Sequence, residues 1–330
     1  MLYANDPYAN RGSPRAVLAA AAQAIRECLP ATLVVVMDTE GSTYAKAGAL
    51  AWFGAGRQLG WLSGGCLEPE IARRAAIVAD TGACDAMDID TRDDEDFFSG
   101  AAIGCRGRLR LLLLPLSQLP HGDALIDAWL RADGALHIRM DDDGQLCWQV
   151  GAQTHTWTLS KVPPEGDVVS IAGAVQLSPP PRLLMFGTGP EAPVLIPHLR
   201  ALGWRVAAVE SRSRWQAHLQ LADEQFTEAP ELIAAQSRAN AFDAALVMHH
   251  HFDLDRQALS GLAETDIGFI GLLGPRRRRD DLFKLLTAPM RDALQPRLHA
   301  PVGLDLGGFG VEAIALSIAA QLHSVLHGRR

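Results

Sequence analysis

The chain has 330 residues, of which 48% are hydrophobic and 21% charged, and its formal net charge is -8. This length allows two domains with sizeable cores, and the negative charge argues against a general nucleic-acid binder, which needs a basic surface. Residues 1–15 show no basic stretch followed by an apolar core, and no apolar run approaches the roughly 20 residues that span a bilayer. We therefore expect a cytoplasmic protein with neither nucleic acid nor membrane as a partner.

The cysteines are odd in number and widely scattered, and no two of them form a CxxC pair. This spacing favours neither a zinc knuckle nor a thioredoxin-type site, and a chain of this size without a secretion signal does not need a disulfide framework. We expect reduced thiols at all five positions, Cys28, Cys66, Cys84, Cys105 and Cys147.

Residues 1–116 alternate between helix and strand patterns and predict a first α/β domain. The alanine-rich helical spacing comes first, followed by a β-branched run and glycine-punctuated short strands. A second helix is bounded by Pro69 and Gly82, and an apolar run closes the domain. The predicted elements are a helix over 14–28, a strand over 31–40, two short strands within 41–65, a helix over 69–82 and a strand over 108–116.

The pattern weakens over residues 117–181, which we interpret as a strand meander followed by a proline-rich linker. Residues 136–150 and 154–160 have strand-like alternation, and LSPPPR (177–182) carries three consecutive prolines. Such a run restricts the backbone and favours an extended spacer. The boundary between the two domains is predicted here.

Residues 182–330 alternate strands with helices, which predicts a doubly wound parallel sheet of Rossmann-like type. The last helix, predicted over 311–328, has a regular apolar face that favours a homodimer. The predicted strands cover residues 182–187, 204–211, 241–248 and 267–274.

The segment LLMFGTGPEAPVL (183–195) places GxGxxA between a strand and a helix, at Gly187, Gly189 and Ala192. Glu210 ends the next strand. A tight turn, close backbone approach to a phosphate and an acid for a ribose hydroxyl form a dinucleotide fingerprint. We predict a phosphate-bearing ligand here, although Pro190 removes one backbone N–H. The alternative is that the glycines serve only close packing of helix and strand.

Two later strands end in polar residues, which in an open α/β sheet lie at the ligand-binding edge. After residue 248 come three histidines and Asp255, which predict one inward imidazole assisted by that carboxylate, or else a solvated loop. After residue 273 come Gly274, Arg276 and Arg277, whose forked donors could hold phosphate or pterin oxygens.

The stretch SGGCLEPE (63–70) places Cys66 after two glycines, with Glu68 two residues on. Glycine removes side-chain cover and lets the backbone turn freely, so the thiol could be reachable. The alternative is a small buried cysteine at a strand-to-helix turn.

These motifs, in this order, resemble the xanthine dehydrogenase accessory factors, the XdhC/CoxI family. Most of the chain is covered, and the agreement is most specific in the second and last of the matching segments. These are TEGSTYAKAGA (39–49), SGGCLEPEI (63–71), GCRGRLRLLL (104–113), FGTGPEAP (186–193), MHHHFDLD (248–255), FIGLLGPRRRR (269–279) and APVGLDLGGFGVEAIALSIAAQL (300–322).

The resemblance implies a maturation factor more than a metabolic enzyme. Members are understood to bind molybdopterin cofactor, as Mo-molybdopterin or a nucleotide form, and to protect it. They promote exchange of an oxo for a sulfido ligand with a cysteine desulfurase, and deliver the cofactor to an apo xanthine dehydrogenase-type hydroxylase. An N-terminal XdhC/CoxI-type α/β domain followed by a Rossmann-like domain is the fold implied.

Carried over by position, the two family cysteines are Cys66 and Cys105, and the acidic neighbour is Glu68. Because both cysteines lie on glycine-flanked turns, we expect them to face a common cleft between the domains and to contact molybdenum or accept sulfur, with Glu68 ordering the loop. The alternative is a pair of structural cysteines. His250 matches a strand-end histidine of the family. Arg106, Pro190 and Pro275 depart from the usual glycine, histidine and serine. The predicted cofactor-binding residues are Ser63, Gly64, Gly65, Glu68, Gly187, Gly189, Glu210, His250, Asp255, Gly274, Arg276 and Arg277.

Two other functions remain open at this point. GxGxxA with Glu210 is compatible with an NAD(P)-dependent oxidoreductase, although the first domain carries no recognisable hydride-acceptor set. An interaction scaffold that holds the hydroxylase, with vestigial sites, is the third possibility.

Overall fold

The computed structural model of the chain describes residues 12–91, 106–163, 170–236 and 242–328. The chain divides into two units, Met1–Pro180 and Pro181–Arg330, so that the division falls within the proline run. None of the helices in the described ranges is both long enough and apolar enough to cross a membrane.

A five-stranded antiparallel sheet forms the centre of the first unit, in the order β3-β2-β1-β5-β4. Its longest strand has apolar residues on both faces, with Leu33 and Val35 in one core cluster and Val34 and Val36 in another. Both faces of the sheet are therefore covered. The strands are β1 (Ala31–Gly41), β2 (Leu50–Gly54), β3 (Arg57–Leu59), β4 (Asp85–Asp90) and β5 (Gly107–Pro115).

Helices cover the two faces of this sheet. α1 (Pro14–Arg26) lies on one side, begun by the Ser13 hydroxyl, which accepts a hydrogen bond from the amide of Ala16. α2 (Glu68–Thr81) packs on β1 and β5 from the other side and ends at Gly82, whose φ of 68° suits glycine. α3 (Gly122–Leu130) packs against α1.

A second, four-stranded antiparallel sheet completes the first unit, in the order β8-β7-β6-β9. Its inward side chains, including Trp148 and Trp157, belong to the same core cluster as α1. The four strands of this sheet therefore pack with the first unit's core. The strands are β6 (Leu136–Met140), β7 (Gln145–Val150), β8 (Gln153–Thr158) and β9 (Gly173–Leu177).

Six parallel strands form the sheet of the second unit, in the order β12-β11-β10-β13-β14-β15. Numbered within the unit this order is 3-2-1-4-5-6, that of a dinucleotide-binding fold. The predicted doubly wound parallel sheet is confirmed. The strands are β10 (Arg182–Phe186), β11 (Arg205–Val209), β12 (Glu224–Phe226), β13 (Ala244–Val247), β14 (Phe269–Leu272) and β15 (Leu298–His299).

The second unit's sheet is also covered on both faces, which is why β13 and β14 are apolar and β10 and β11 are apolar after their first residue. One face meets the first and last helices of the unit, which also pack against each other, and the opposite face meets the second and third. The helices are α4 (Ala192–Ala201), α5 (Pro230–Gln236), α6 (Phe252–Leu262), α7 (Arg276–Phe283), α8 (Ala288–Leu294) and α9 (Val311–His327).

Candidate functional site

The segment Leu62–Glu68, called here the Cys66 loop, joins β3 to α2 in the first unit. Gly64 and Gly65 have φ values of 72° and 112°, a backbone region that L side chains rarely adopt. A Cβ at Gly64 would lie 3.2 Å from the ring of Tyr44. The two glycines thus allow a tight reversal immediately before the cysteine.

Glu68 holds this loop together from the first turn of α2. One carboxylate oxygen accepts from the amides of Leu62 and Ser63 at 3.0 and 2.9 Å, and the other accepts from the amide of Gly65 at 2.8 Å and from the Ser63 hydroxyl. Burial alone would raise the pKa of Glu68, but the hydrogen bonds from Ser63 and Leu62 outweigh it, so the pKa lies below its ordinary value. The buried Glu68 carboxylate is therefore charged and holds the loop through its hydrogen bonds. This agrees with the expectation that Glu68 orders the loop.

Cys66 is exposed on this loop, and its thiol donates to the Ser63 carbonyl oxygen at 3.2 Å. The alternative of a small buried cysteine is therefore wrong for this position; it describes Cys84, where burial raises the pKa of the thiol. The partner thiol, Cys105, lies outside the described residues. The prediction that the two thiols face a common cleft therefore stays a prediction.

In the second unit, the segment Gly187–Ala192, called here the glycine turn, links β10 to α4. Gly187 has a φ of 100° and its amide donates to the Val209 carbonyl oxygen at 2.9 Å. A Cβ at this position would lie 2.6 Å from both the Cα and the nitrogen of His249. The turn thus requires glycine because it contacts the end of β13 backbone to backbone.

Glu210, the predicted ribose acid, directly follows β11 and is fully buried. One carboxylate oxygen accepts from the amide and Nε of Arg212, and the other from Arg212 Nη2 at 2.7 Å and from the Thr188 amide at 3.0 Å. Burial raises the pKa of Glu210, but the hydrogen bonds from Arg212 and Thr188 lower it by more. Both oxygens are engaged by the protein itself.

Two of the three histidines that follow β13 each contact a carboxylate, and the two carboxylates are different. His249 is buried, and its Nδ1 lies 3.1 Å from a carboxylate oxygen of Asp255, whose other oxygen accepts from Arg278 Nη2 at 2.6 Å. His249 is therefore the inward imidazole that Asp255 contacts. His250 instead has a φ of 54° and turns its Nε2 to the Glu191 carboxylate, 3.0 Å from Oε1.

In the His250–Glu191 pair the carboxylate is buried and the imidazole is about half exposed. The Glu191 side chain is 5% exposed and that of His250 is 47% exposed. Burial would raise the pKa of Glu191, but the contact with His250 holds it below its ordinary value. The same contact raises the pKa of His250. At neutral pH the carboxylate is charged.

This pair predicts a pH-dependent contribution to the stability of the second unit. Because the folded pKa of His250 is raised, the contribution is complete below the ordinary pKa of about 6.5 and is lost as pH rises through the folded value. We expect the difference in melting temperature between wild type and His250→Gln to be largest near about pH 6 and to shrink toward about pH 9.

The control for this titration is His251→Asn, which changes the exposed neighbouring histidine and keeps a residue suited to cap α6. Its melting temperature should run parallel to wild type across the same range. A constant gap for His250→Gln would contradict a charged His250–Glu191 pair.

Beyond β14, Gly274 has a φ of 126°, and Arg276 and Arg277 begin α7 with exposed side chains. Arg277 lies 3.8 Å from Asp281, while Arg278 turns inward to Asp255. Beside them is a cavity of about 320 Å³, lined at this end by Gly274 and Pro275. Its other walls include Pro301, Asp305, Gly307, Gly308 and Ser317.

The structure thus gathers the predicted residues into two places. Those of the Cys66 loop lie in the first unit, and those from Gly187 to Arg277 lie at the carboxyl ends of β10, β11, β13 and β14. Sequence reasoning did not select four residues that complete the second group, Glu191, Arg212, His249 and Arg278. For Glu191 a signal was present, because an acid directly precedes α4 in FGTGPEAP.

Fold and site together define a two-unit protein in which an α/β unit presents a thiol loop and a Rossmann-type unit follows. The XdhC and CoxI family model matches residues 24–90, and the XdhC Rossmann domain model matches residues 183–322. Together they cover more than half of the chain, and the chain belongs to the XdhC and CoxI family. The resemblance of the sequence motifs is confirmed.

The chain is also similar to individual proteins. A probable xanthine dehydrogenase subunit from Bacillus subtilis strain 168 is 26% identical over 309 residues, covering 88% of this chain and 92% of that protein. YqeB of Escherichia coli K12, an uncharacterised protein, is 29% identical over 152 residues, which is 44% of this chain and 27% of YqeB. The crystal structure of a xanthine dehydrogenase from Bacillus halodurans has a TM-score of 0.71 and 26% identity, over 94% of this chain and 96% of that one.

Proposed function

We propose that this chain is an accessory protein of a xanthine dehydrogenase-type molybdenum hydroxylase. In this role it binds molybdopterin cofactor, supports its sulfuration with a cysteine desulfurase, and passes it to the apo-hydroxylase. Family membership supports the proposal, as do two relatives that carry xanthine dehydrogenase in their names. The proposed partners are the hydroxylase, the desulfurase and a second copy of this chain.

The observation that carries the proposal is the exposed thiol of Cys66 on a loop ordered by a buried charge. A loop with two left-handed glycines would be mobile without the four hydrogen bonds that Glu68 accepts. Holding it in one conformation fixes the position of the sulfur. Soft thiolates are ligands for soft metals and carriers for sulfur, which is the chemistry that cofactor sulfuration requires.

The residues present fit the pterin end of the cofactor in the second unit. The cavity beside Gly274 and Pro275, at about 320 Å³, is at the lower end of the range for small-molecule sites. Asp305 can accept from the N–H groups of a pterin ring, and the exposed Arg276, which follows the lining residue Pro275, has a guanidinium that can donate to a phosphate. When bound, the cofactor supplies the molybdenum and its exchangeable oxo ligand.

Replacing Cys66 by alanine is expected to abolish delivery of active cofactor. The protein would be produced in its own host, and molybdopterin would be released and quantified per chain, alongside the activity it confers on apo-hydroxylase. We expect a loss of about tenfold or more in the molybdopterin retained or in the activity conferred, since no other residue of the loop supplies a sulfur atom.

The matched control is Cys28→Ala, which removes another exposed thiol of the same unit. It should bind and deliver cofactor as wild type does. Equal retention and equal activation by Cys66→Ala and Cys28→Ala would overturn the proposed role of Cys66. Absence of molybdopterin from the wild-type protein would overturn the proposed function itself.

A further inference from the structure

The glycine turn has the backbone of a dinucleotide site, yet a carboxylate of the chain lies beside the glycine that a phosphate would approach. In such turns the second glycine lacks a side chain so that a pyrophosphate can approach the backbone. A Cβ at Gly189 would lie 3.4 Å from Oε2 of Glu191 and 3.5 Å from Cδ2 of His250. The Glu191–His250 pair therefore borders the space above Gly189 at van der Waals distance from a Cβ placed there.

The backbone amides of the turn are also used. A helix N-terminus binds anions through amides that point at the ligand. Here Pro190 and Pro193 have no N–H, and the amide of Glu191 bonds its own carboxylate. The amide of Ala192 donates to the Gly189 carbonyl oxygen at 3.1 Å. Every amide from residue 190 to 193 is thus absent or already paired.

The acid that would hold a ribose is engaged in the same way. Both carboxylate oxygens of Glu210 accept from Arg212, and one also accepts from the Thr188 amide. Arg212 in turn donates to the His249 carbonyl oxygen at 2.6 Å, tying the end of β11 to the end of β13. Freeing Glu210 for a ribose would leave the guanidinium without its partner.

We propose that Glu191 closes the glycine turn to dinucleotides and other diphosphates. Its carboxylate is 5% exposed, it lies over the glycine that would face the phosphates, and it adds a negative charge where they would add more. His250 holds this carboxylate in place from the end of β13. The inference does not depend on molybdopterin binding, because it concerns which ligands the turn refuses.

Titration calorimetry with NAD⁺ and with ADP tests the proposal. Wild type should bind both with Kd weaker than about 1 mM. Glu191→Ala removes the charge and the bordering side chain and frees one amide, so ADP should bind roughly tenfold tighter or better. The double variant Pro190→Gly with Glu191→Ala restores a second amide and should bind ADP tighter still.

The matched control is Glu231→Ala, which removes an exposed acid from the first turn of α5, away from the glycine turn. It should behave as wild type. If the alanine variant does not fold, Glu191→Gln gives a second test, because it retains the side-chain volume. It should bind ADP more tightly than wild type, since the negative charge is removed. The proposal is overturned if wild type binds NAD⁺ below that limit, if folded Glu191 variants gain nothing, or if Glu231→Ala gains equally.

Discussion

Replacing Gly187 by alanine is expected to destabilise the second unit by about 3 kcal/mol or more, through backbone strain and overpacking together. Alanine at a φ of 100° is strained whatever space surrounds it. Its Cβ would also lie 2.6 Å from the Cα and the nitrogen of His249, and these are backbone atoms held in the sheet by β13. Relief therefore requires β10 and β13 to separate at their carboxyl ends.

Urea unfolding of the full chain, followed by hydrogen exchange of the peptides that contain β10 and β13, measures this effect in the second unit. The control is Gly268→Ala, because a Cβ at Gly268 meets nothing within 4 Å and the residue is exposed. That variant should lie within about 0.5 kcal/mol of wild type. A Gly187→Ala protein that unfolds at the same urea concentration as the control would contradict the close contact between Gly187 and His249.

Replacing Glu68 by glutamine is expected to destabilise the Cys66 loop by about 2–4 kcal/mol, since buried donors lose their acceptor. Each carboxylate oxygen accepts two hydrogen bonds, from Leu62 and Ser63 on one side and from Ser63 and Gly65 on the other. A glutamine amide has one oxygen and one NH₂, and an NH₂ on the Leu62 side faces two amide donors. On the other side it faces the Gly65 amide and the Ser63 hydroxyl, and only the hydroxyl can turn to accept from it. In either orientation at least one backbone amide loses its acceptor and is opposed by a donor.

Hydrogen exchange of the peptide containing residues 60–70 reports this change directly. The amides of Leu62, Ser63 and Gly65 should exchange roughly tenfold faster or more in Glu68→Gln, as expected for a loss of over 1.4 kcal/mol. Glu70→Gln is the control, because Glu70 lies in the same helical turn but is exposed and pairs with Arg73 at the surface. Unchanged exchange in Glu68→Gln would show that the loop does not depend on its carboxylate.

Much of the fold could be predicted because local patterns agree with it. The β-branched run of β1, the helix between Pro69 and Gly82, and the strand–turn–helix around Gly187 each carry their signal within a few residues. β9 carries no such signal, since its five residues are ordered by pairing with β6, more than 30 residues earlier. Its formation depends on a distant partner, which local pattern does not specify.

The site was predicted less completely, because the sequence shows where these residues lie along the chain and not which way their side chains point. Three successive histidines would alternate in an extended segment, but the left-handed backbone at His250 breaks that alternation and sends it to Glu191. In RRRR (276–279) the sequence favours the first two arginines as ligand-binding residues. In α7, however, it is the third arginine, Arg278, whose side chain turns toward Asp255. Both outcomes depend on backbone dihedral angles that residue types alone leave open.

The packing of α9 against α4 has a consequence for synthesis of the chain. α4 is the first helix of the second unit and α9 is the last, and together they cover one face of the sheet. During translation, β10 and β11 therefore leave the ribosome about 100 residues before the helix that completes their cover. By then, all the strands of the first unit's two sheets have been synthesised. Domains emerge and fold in order, so this face of the second unit's sheet stays open to chaperones until α9 has left the ribosome.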